Sequence, residues 1–274
     1  MTNEPDYLEM WRNLVKHSGS NFPHAFNRKD KAEAYEASTR RKNMGRRDTL
    51  LEKVINELKP GYTILDIGAG TGRWTIPLAK AAAKITAVDP SEAMLEILRR
   101  NAAESGVVNK IEIIQKTWEE AEVGVFDITI SFHAMYMSPD FAGFIRKIET
   151  HTKKRCYLGL RLFPIDGIIQ ELSTEIHGTR HDSPNFIIGY NALYQMGIYT
   201  NVTIEDFRHY WIDDTMANAF SRAKRHLLIE NDTTYDKLIK DVLKKRLQLR
   251  DGKYHWPDSM TTALVWWEPQ NIHR

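Results

Sequence analysis

The sequence predicts an α/β fold in which a mostly parallel sheet carries helices on both faces behind a helical cap. Three observations lead there. From Thr49 to Phe163 short apolar runs alternate with runs of helical period, the order that builds parallel strands joined by crossover helices. The stretch ILDIGAGTGRW, Ile64 to Trp74, takes one apolar run directly into three glycines at every second position. With 274 residues, 42% of them hydrophobic, the chain is long enough to bury a full core as one large domain or as a domain with a cap.

Residues 1–48 set Tyr7, Trp11, Phe22, Phe26 and Tyr35 in a polar background and end in the basic RRKNMGRR of Arg40 to Arg47. They read as the cap. In TLLEKVINELKPG the apolar Leu50, Leu51, Val54, Ile55 and Leu58 recur at helical spacing, and Pro60-Gly61 ends the helix. YTILDI is the first strand. GTGRWTIPLAKAAA reads as a helix, KITAVD as a short strand, and PSEAMLEILRRNAAESG as a second helix with Met94, Leu95, Ile97 and Leu98 toward the core. At its start Asp89, Pro90 and Glu92 have the spacing of an N-cap, an N1 proline and an N3 acid. KIEIIQ and FDITISFHAMY supply strands three and four, SPDFAGFIRKIETHT a helix, and RCYLGLRLF the fifth strand.

After Phe163 the regularity lapses, resuming with a helix at Ala192 to Met196 and a strand near NVTIEDFRHYWI. So long a lapse inside a compact domain is more often a functional loop or lid than an accident. Two helical patterns run from Asp213 to Arg250, the second with Leu238, Ile239, Val242, Leu243 and Leu247 as its core face and Asp251-Gly252 as its end. TTALVWWE is the last strand. The organisation read from this is a cap of residues 1–48 and a domain of residues 49–274, with a substrate-covering insertion at about 164–199.

The net charge of +2 is a small difference between 38 basic and 36 acidic residues. No whole-molecule field therefore argues for nucleic acid or an anionic membrane, and the Arg40–Arg47 run reads as a solvated face. Cys156 is the single cysteine, which excludes an intrachain disulfide and a cysteine-rich zinc site and fits a reducing compartment. The N-terminal residues show no signal-like apolar region, and no later run of 18 apolar residues occurs. A cytoplasmic protein with no membrane partner is expected. Nothing in the chain specifies an oligomeric state.

A strand that feeds a glycine-rich turn and then a helix aims backbone N–H groups and the positive helix end at a ligand, and glycine admits it where a Cβ would collide. A dinucleotide fingerprint would put its glycines at 68, 70 and 73, but position 73 is Arg and the third glycine is Gly72. DIGAGTG, followed by an acidic strand end in AVDPSEAM, resembles the class I S-adenosylmethionine-dependent methyltransferases of the small-molecule, ubiquinone/menaquinone-methylase-like type, over roughly residues 62–163. The resemblance implies a Rossmann-like, seven-stranded, mostly parallel sheet whose last strand inserts antiparallel beside the fifth. It further implies that Asp66, Gly68, Ala69, Gly70 and Gly72 form a loop against the methionine part of S-adenosylmethionine, and that Asp89, with Pro90 beside it, takes the ribose. A carboxylate suits a vicinal diol on its own chemistry, since it accepts two hydrogen bonds. By the same resemblance Thr117 and Trp118, in KTWEE, lie against adenine, and Ser131 at the end of the fourth strand lies against the amino-acid part. Trp118 reads equally as plain packing surface.

Methyl transfer from a sulfonium is an in-line displacement, so alignment and exclusion of water matter most and a catalytic base is optional. His133, just past the fourth strand, is the best-placed candidate base, with an ordinary pKa of about 6.5. Tyr136 is a weaker one, and a histidine simply packed under the cofactor is the plainer alternative. Arg161, His177, Tyr190 and Asn191 are candidate substrate groups, together with His181, Asn185 and Tyr194 in the same irregular stretch, whose glycines Gly167, Gly178 and Gly189 would let a lid bend. Tyr190 and Tyr194 read also as one face of a short helix.

No metal is expected. His177 and His181 lack a third ligand, and Asp140 is the one carboxylate near the fourth strand's end. The Asn/Asp-Pro-Pro-aromatic motif of base-amino methylation is replaced by SFHAMY. Methyl transfer to a small-molecule acceptor is therefore the leading reading, with nucleic acid disfavoured as a partner. An RNA or protein methyltransferase and a non-catalytic S-adenosylmethionine-binding protein are the alternatives, and Arg73 argues against a nicotinamide-dependent oxidoreductase.

Overall fold

A computed structural model describes residues 5–18, 27–43, 47–164, 167–180, 183–205 and 209–270. Helices α1 (Tyr7–Ser18) and α2 (Lys29–Asn43) precede α3 (Thr49–Glu57). The strands and helices that follow are β1 (Thr63–Ile67), α4 (Thr75–Ala81), β2 (Lys84–Val88), α5 (Glu92–Glu104), β3 (Ile111–Ile114), β4 (Phe126–Phe132), α6 (Phe141–Thr150) and β5 (Thr152–Leu162). Then come α7 (Ile168–His177), α8 (Phe186–Gln195), β6 (Asn201–Ile204), β7 (His209–Asp213), α9 (Met216–His226), α10 (Asp236–Arg246), β8 (Gln248–Arg250) and β9 (Lys253–Trp267).

The seven principal strands run in the order β3-β2-β1-β4-β5-β9-β6. Neighbours from β3 to β5 are parallel, while β9 runs antiparallel to β5 on one side and β6 on the other. Alternation along each strand sends successive side chains to opposite faces. Leu65, Leu158 and Val265 join a core with Trp11, Phe141 and Ile188 under α1, α6 and α8. Ile64, Tyr157 and Leu264 join a second core with Leu50, Val54 and Leu78 under α3 and α4. Both faces are thus covered, as a parallel sheet requires.

The helix starts are set by short polar side chains. Asp48 accepts a hydrogen bond from Leu51 N at 3.0 Å and Asp140 one from Gly143 N at 3.0 Å. At α5 the cap is Ser91, whose hydroxyl accepts from Met94 N, rather than Asp89. The carboxylate of Asp89 turns back instead toward the glycine loop.

Three further differences from the sequence reading have local causes. The helix after the glycines begins at Thr75 and not Gly70, because Gly68, Gly70 and Gly72 all take positive φ, of 75°, 55° and 88°. Asp251-Gly252 does not simply end a helix: it joins β8 to β9 as a two-residue hairpin turn with φ of 48° and 72°, the left-handed pair that such turns favour. The last strand begins at Lys253, eight residues before Thr261, and its first half pairs with β7 and β8. Pro257 lies where the β7–β9 register shifts between Tyr210 and Ile212, a place where a missing N–H removes no ladder bond.

That first half of β9 closes a third core, in which Ile168, Leu172, Ala219, Ala223, Ile239, Leu243 and Trp256 are buried between α7, α9 and α10. Asp213 anchors it, accepting from Arg222 at 2.9 and 2.8 Å and from Trp256 Nε1 at 2.8 Å. No helix among the described residues is long and apolar enough to cross a membrane.

Candidate functional site

The C-terminal ends of β1, β2 and β4 converge on a cleft lined by Tyr35, Asp66, Gly68, Ala69, Gly70, Thr71, Arg73, Trp74, Phe132 and His133. Its floor is the turn after β1. Gly68 N and Ala69 N donate to the carbonyl of Val88 at 2.7 and 3.2 Å, which ties the turn to the end of β2. A Cβ on Gly68 would come within 2.1 Å of Ala134 Cβ, so only glycine fits there. Around Gly70 the same atom would meet nothing within 4 Å. The backbone there borders open space that a ligand can enter.

Two carboxylates stand under this turn. Asp89 accepts from Gly70 N at 2.9 Å with one oxygen and from Ser91 N at 2.9 Å with the other. Burial pushes its carboxyl above the ordinary range, although those two N–H groups favour the charged form. Ionised, it has about four lone-pair sites and these two donors fill half of them. Asp66, 3% exposed, accepts from Thr75 Oγ1 at 2.6 Å, and burial, with the charge of Asp89 adding to it, raises its carboxyl to about 7.

The wall at the end of β4 is aromatic. Phe132 stacks on Trp74 with centroids 4.1 Å apart and fills the space that a Cβ on Gly159 would occupy. Arg73 lies over the same ring at 5.8 Å and pairs with Asp48 at 2.8 Å. His133 is held at φ 62°, a conformation that costs a non-glycine residue about 1–2 kcal/mol and persists where surrounding contacts impose it. Those contacts are Tyr136 OH at 3.3 Å from Nδ1 and Thr262 Oγ1 at 3.2 Å from Nε2. Because Tyr136 OH accepts the N–H of Arg161, its own proton is directed to Nδ1, and Nε2–H then donates to Thr262. In that arrangement both ring nitrogens are occupied. Tyr136 is buried, which raises its phenol above the ordinary value against the opposing charge of Arg161.

The cap closes the cleft through one polar latch. Glu36 on α2, 6% exposed, accepts from Arg40 Nε at 2.6 Å and Asn101 Nδ2 at 3.0 Å, and Asn101 Nδ2 also donates to the carbonyl of Thr71 in the glycine turn at 3.0 Å. Tyr35, beside Glu36, is thereby brought to the cleft. The sequence marked Tyr35 only as one aromatic among several and gave no sign of Glu36, Asn101, Trp74 or Phe132.

Other sequence candidates lie outside the cleft lining. Trp118 is core: its Nε1 donates to the carbonyl of Phe144 at 3.2 Å and Lys147 sits 4.5 Å from its ring. Thr117 Oγ1 donates to Glu120 at 2.9 Å, Ser131 Oγ donates to the carbonyl of Ile67 at 3.2 Å, and Pro90 is exposed. His177 ends α7, with Nε2 2.9 Å from the carbonyl of Leu227, so it faces the third core. Asn191 Nδ2 donates to its own helix at Ile187 O. Asn185 caps α8, and Tyr190 packs on Phe186 at 5.5 Å. Tyr194 is 63% exposed. His181 lies outside the described residues. The lid glycines have other uses: Gly189 gives close contact to Leu160 and Trp11, where a Cβ would lie at 3.1 and 3.2 Å, and Gly178 is the left-handed cap of α7. Among the described residues no cluster of metal-ligating side chains occurs.

Residues 64–155 match the methyltransferase domain family. A ubiquinone biosynthesis O-methyltransferase of Methylocella silvestris is 36% identical over 88 residues, 31% of this chain and 34% of that protein. A mitochondrial ribosomal RNA small subunit methyltransferase of Arabidopsis thaliana is 33% identical over 84 residues, 30% of this chain and 22% of that protein. The chain therefore spans about a fifth to a third of the length of these relatives. A crystal structure of a methyltransferase candidate from Bacillus halodurans superposes with a TM-score of 0.56 at 17% identity, covering 81% of this chain and 98% of that one.

Proposed function

We infer that this chain, which belongs to the class I S-adenosylmethionine-dependent methyltransferases, transfers a methyl group from S-adenosylmethionine to a small-molecule acceptor by in-line displacement. The observation that carries the reading is the pairing of open space at Gly70 with a desolvated Asp89 that keeps accepting capacity beneath it. These residues fit the cofactor: the turn of Asp66, Gly68, Ala69, Gly70 and Gly72 would hold its amino-acid part and Asp89 its ribose. When bound, the cofactor supplies an electrophilic methyl carbon on a sulfonium. The chain's own residues have to exclude water and hold the acceptor in line, and alignment of this kind lowers barriers by several kcal/mol without proton transfer. Tyr35 and the latch at Glu36 cover the cleft, and Trp74, Phe132 and His133 wall it. The occupied nitrogens of His133 favour positioning over base catalysis.

A cleft roofed by α2 suits a small acceptor better than a macromolecule. In the basic run at the end of the cap Arg40 pairs with Glu36 and Glu104 and Arg47 with Glu52, so those two charges are occupied within the protein. The buried free thiol of Cys156 accords with the cytoplasm. Incubating the protein with methyl-labelled S-adenosylmethionine and an extract of the organism that encodes it tests the reading. Label is expected in the small-molecule filtrate; label in the RNA or protein fraction would overturn the acceptor class, and absence of S-adenosylhomocysteine formation would overturn the activity.

A further inference from the structure

We propose that Arg161 is the anchor for a carboxylate on the methyl acceptor, an inference that rests on the methyltransferase reading above. Among the described residues five arginines are half-buried. Four of them pair with acids: Arg73 with Asp48, Arg155 with Glu57, Arg222 with Asp213 and Arg246 with Glu171. Arg161 makes no ion pair with any described residue, and its Nε is buried without a hydrogen-bond partner. A buried guanidinium N–H left so is costly, since a donor taken out of water needs an acceptor to offset lost hydration.

The guanidinium is nevertheless held in one place. It stacks on the ring of Tyr136 at 3.8 Å, and Tyr136 is itself stacked on Trp11 at 6.0 Å. The backbone N–H of Arg161 donates to Tyr136 OH. Stacking on the ring leaves Nε without a partner, and the Nε–Nη edge of a guanidinium carries two parallel donors that match a planar carboxylate. The surroundings are also positive. His226, stacked on Trp211 at 4.6 Å, is lowered to about 4 by burial and by Arg222, Arg225 and Arg161.

The position favours the acceptor over the cofactor. Arg161 lies near the end of β5, opposite Thr262 of β9, and Thr262 meets His133 of the cleft wall. In the sheet, β4 separates β5 from β1 and its glycine turn. An anion held by Arg161 thus reaches the wall at His133 from the side away from the Gly68–Gly72 cradle.

The test uses the full-length chain, labelled S-adenosylmethionine and the metabolite extract. The labelled product is fractionated on an anion exchanger at pH 8 and identified by mass, and its unmethylated form is then used as the acceptor for Arg161→Gln and Arg161→Lys. The expected product is an anion that keeps a free carboxylate. For Arg161→Gln the KM for that acceptor should rise tenfold or more, while S-adenosylhomocysteine binds within twofold of the parent. Arg161→Lys, which keeps the charge but not the fork, should recover part of the loss, and it carries the test if the glutamine variant melts early. A product without a carboxylate, an unchanged KM in both variants, or an equal loss of S-adenosylhomocysteine affinity would overturn the anchor. A parent that binds the cofactor and labels nothing would instead overturn the methyltransferase reading on which the anchor rests.

Discussion

Alanine at Gly68 and at Gly70 should separate what the glycine turn does for folding from what it does for the ligand. Both residues sit at positive φ, 75° and 55°, so each substitution carries the same backbone penalty of about 1–2 kcal/mol. At Gly68 the new methyl would lie 2.1 Å from Ala134 Cβ, where carbon atoms normally keep about 3.5–4 Å. Relieving that overlap shifts the turn or the segment after His133, at about 1–3 kcal/mol. At Gly70 the new methyl meets nothing. The steric term alone therefore makes Gly68→Ala about 1–3 kcal/mol less stable than Gly70→Ala, a gap of several degrees in melting temperature for a chain of this size. In calorimetric titration with S-adenosylhomocysteine the order of information reverses. Gly70→Ala, nearly intact in fold, should lose tenfold or more in affinity because its methyl enters the ligand's space. Equal melting of the two variants would refute the packing argument, and parental affinity in Gly70→Ala would refute the assignment of the cradle.

Three further outcomes follow from the cleft and its supports. Burial raises Asp66 to about 7, so the folded state favours its neutral form; the associated stability is complete below about pH 4 and is lost as pH rises through 7. Asp66→Asn should therefore gain on the parent, by on the order of 4 kcal/mol, between pH 4 and pH 8.5 in denaturant titrations, and a pH-independent difference would contradict it. Glu36→Ala removes the acceptor that joins α2 to Asn101; cofactor affinity should fall several-fold with little loss of melting temperature, whereas unchanged affinity would unlink the cap from the glycine turn. Arg222→Ala strands the buried Asp213 carboxylate, and a loss of about 3 kcal/mol in denaturant unfolding is expected; a loss below about 1 kcal/mol would show the pair to be solvated.

The elements that bind by local pattern were the most legible in the sequence. The glycine turn, its acid partner and the alternation of strands with helices each lie within a few tens of residues, and periodicity with glycine spacing specifies them. Less legible were features made by contacts across the chain. Glu36 meets Asn101 and Thr71 only once α2 packs on α5, and nothing local to residue 36 announces it. Asp89 has the spacing of a helix cap, yet Ser91 competes successfully for that place and frees the carboxylate for Gly70. The hairpin at Asp251-Gly252 shares its residue types with a helix stop, so only the pairing partner across the turn decides between them. His177 and Asn191, polar groups in an irregular stretch, found partners in the carbonyls of Leu227 and Ile187 rather than in the cleft. Arg161 differs from them because its buried Nε found no partner.

The central claim is that the cleft beneath α2 binds S-adenosylmethionine through the glycine turn and Asp89. Calorimetric titration of the parent and of Asp89→Ala with S-adenosylhomocysteine, with NAD as the control ligand, tests it most directly. The parent should bind S-adenosylhomocysteine saturably with one ligand per chain and should not bind NAD, and Asp89→Ala should lose most of that affinity while remaining folded. Saturable binding of NAD, no binding of S-adenosylhomocysteine, or equal affinity in a folded Asp89→Ala would contradict the claim.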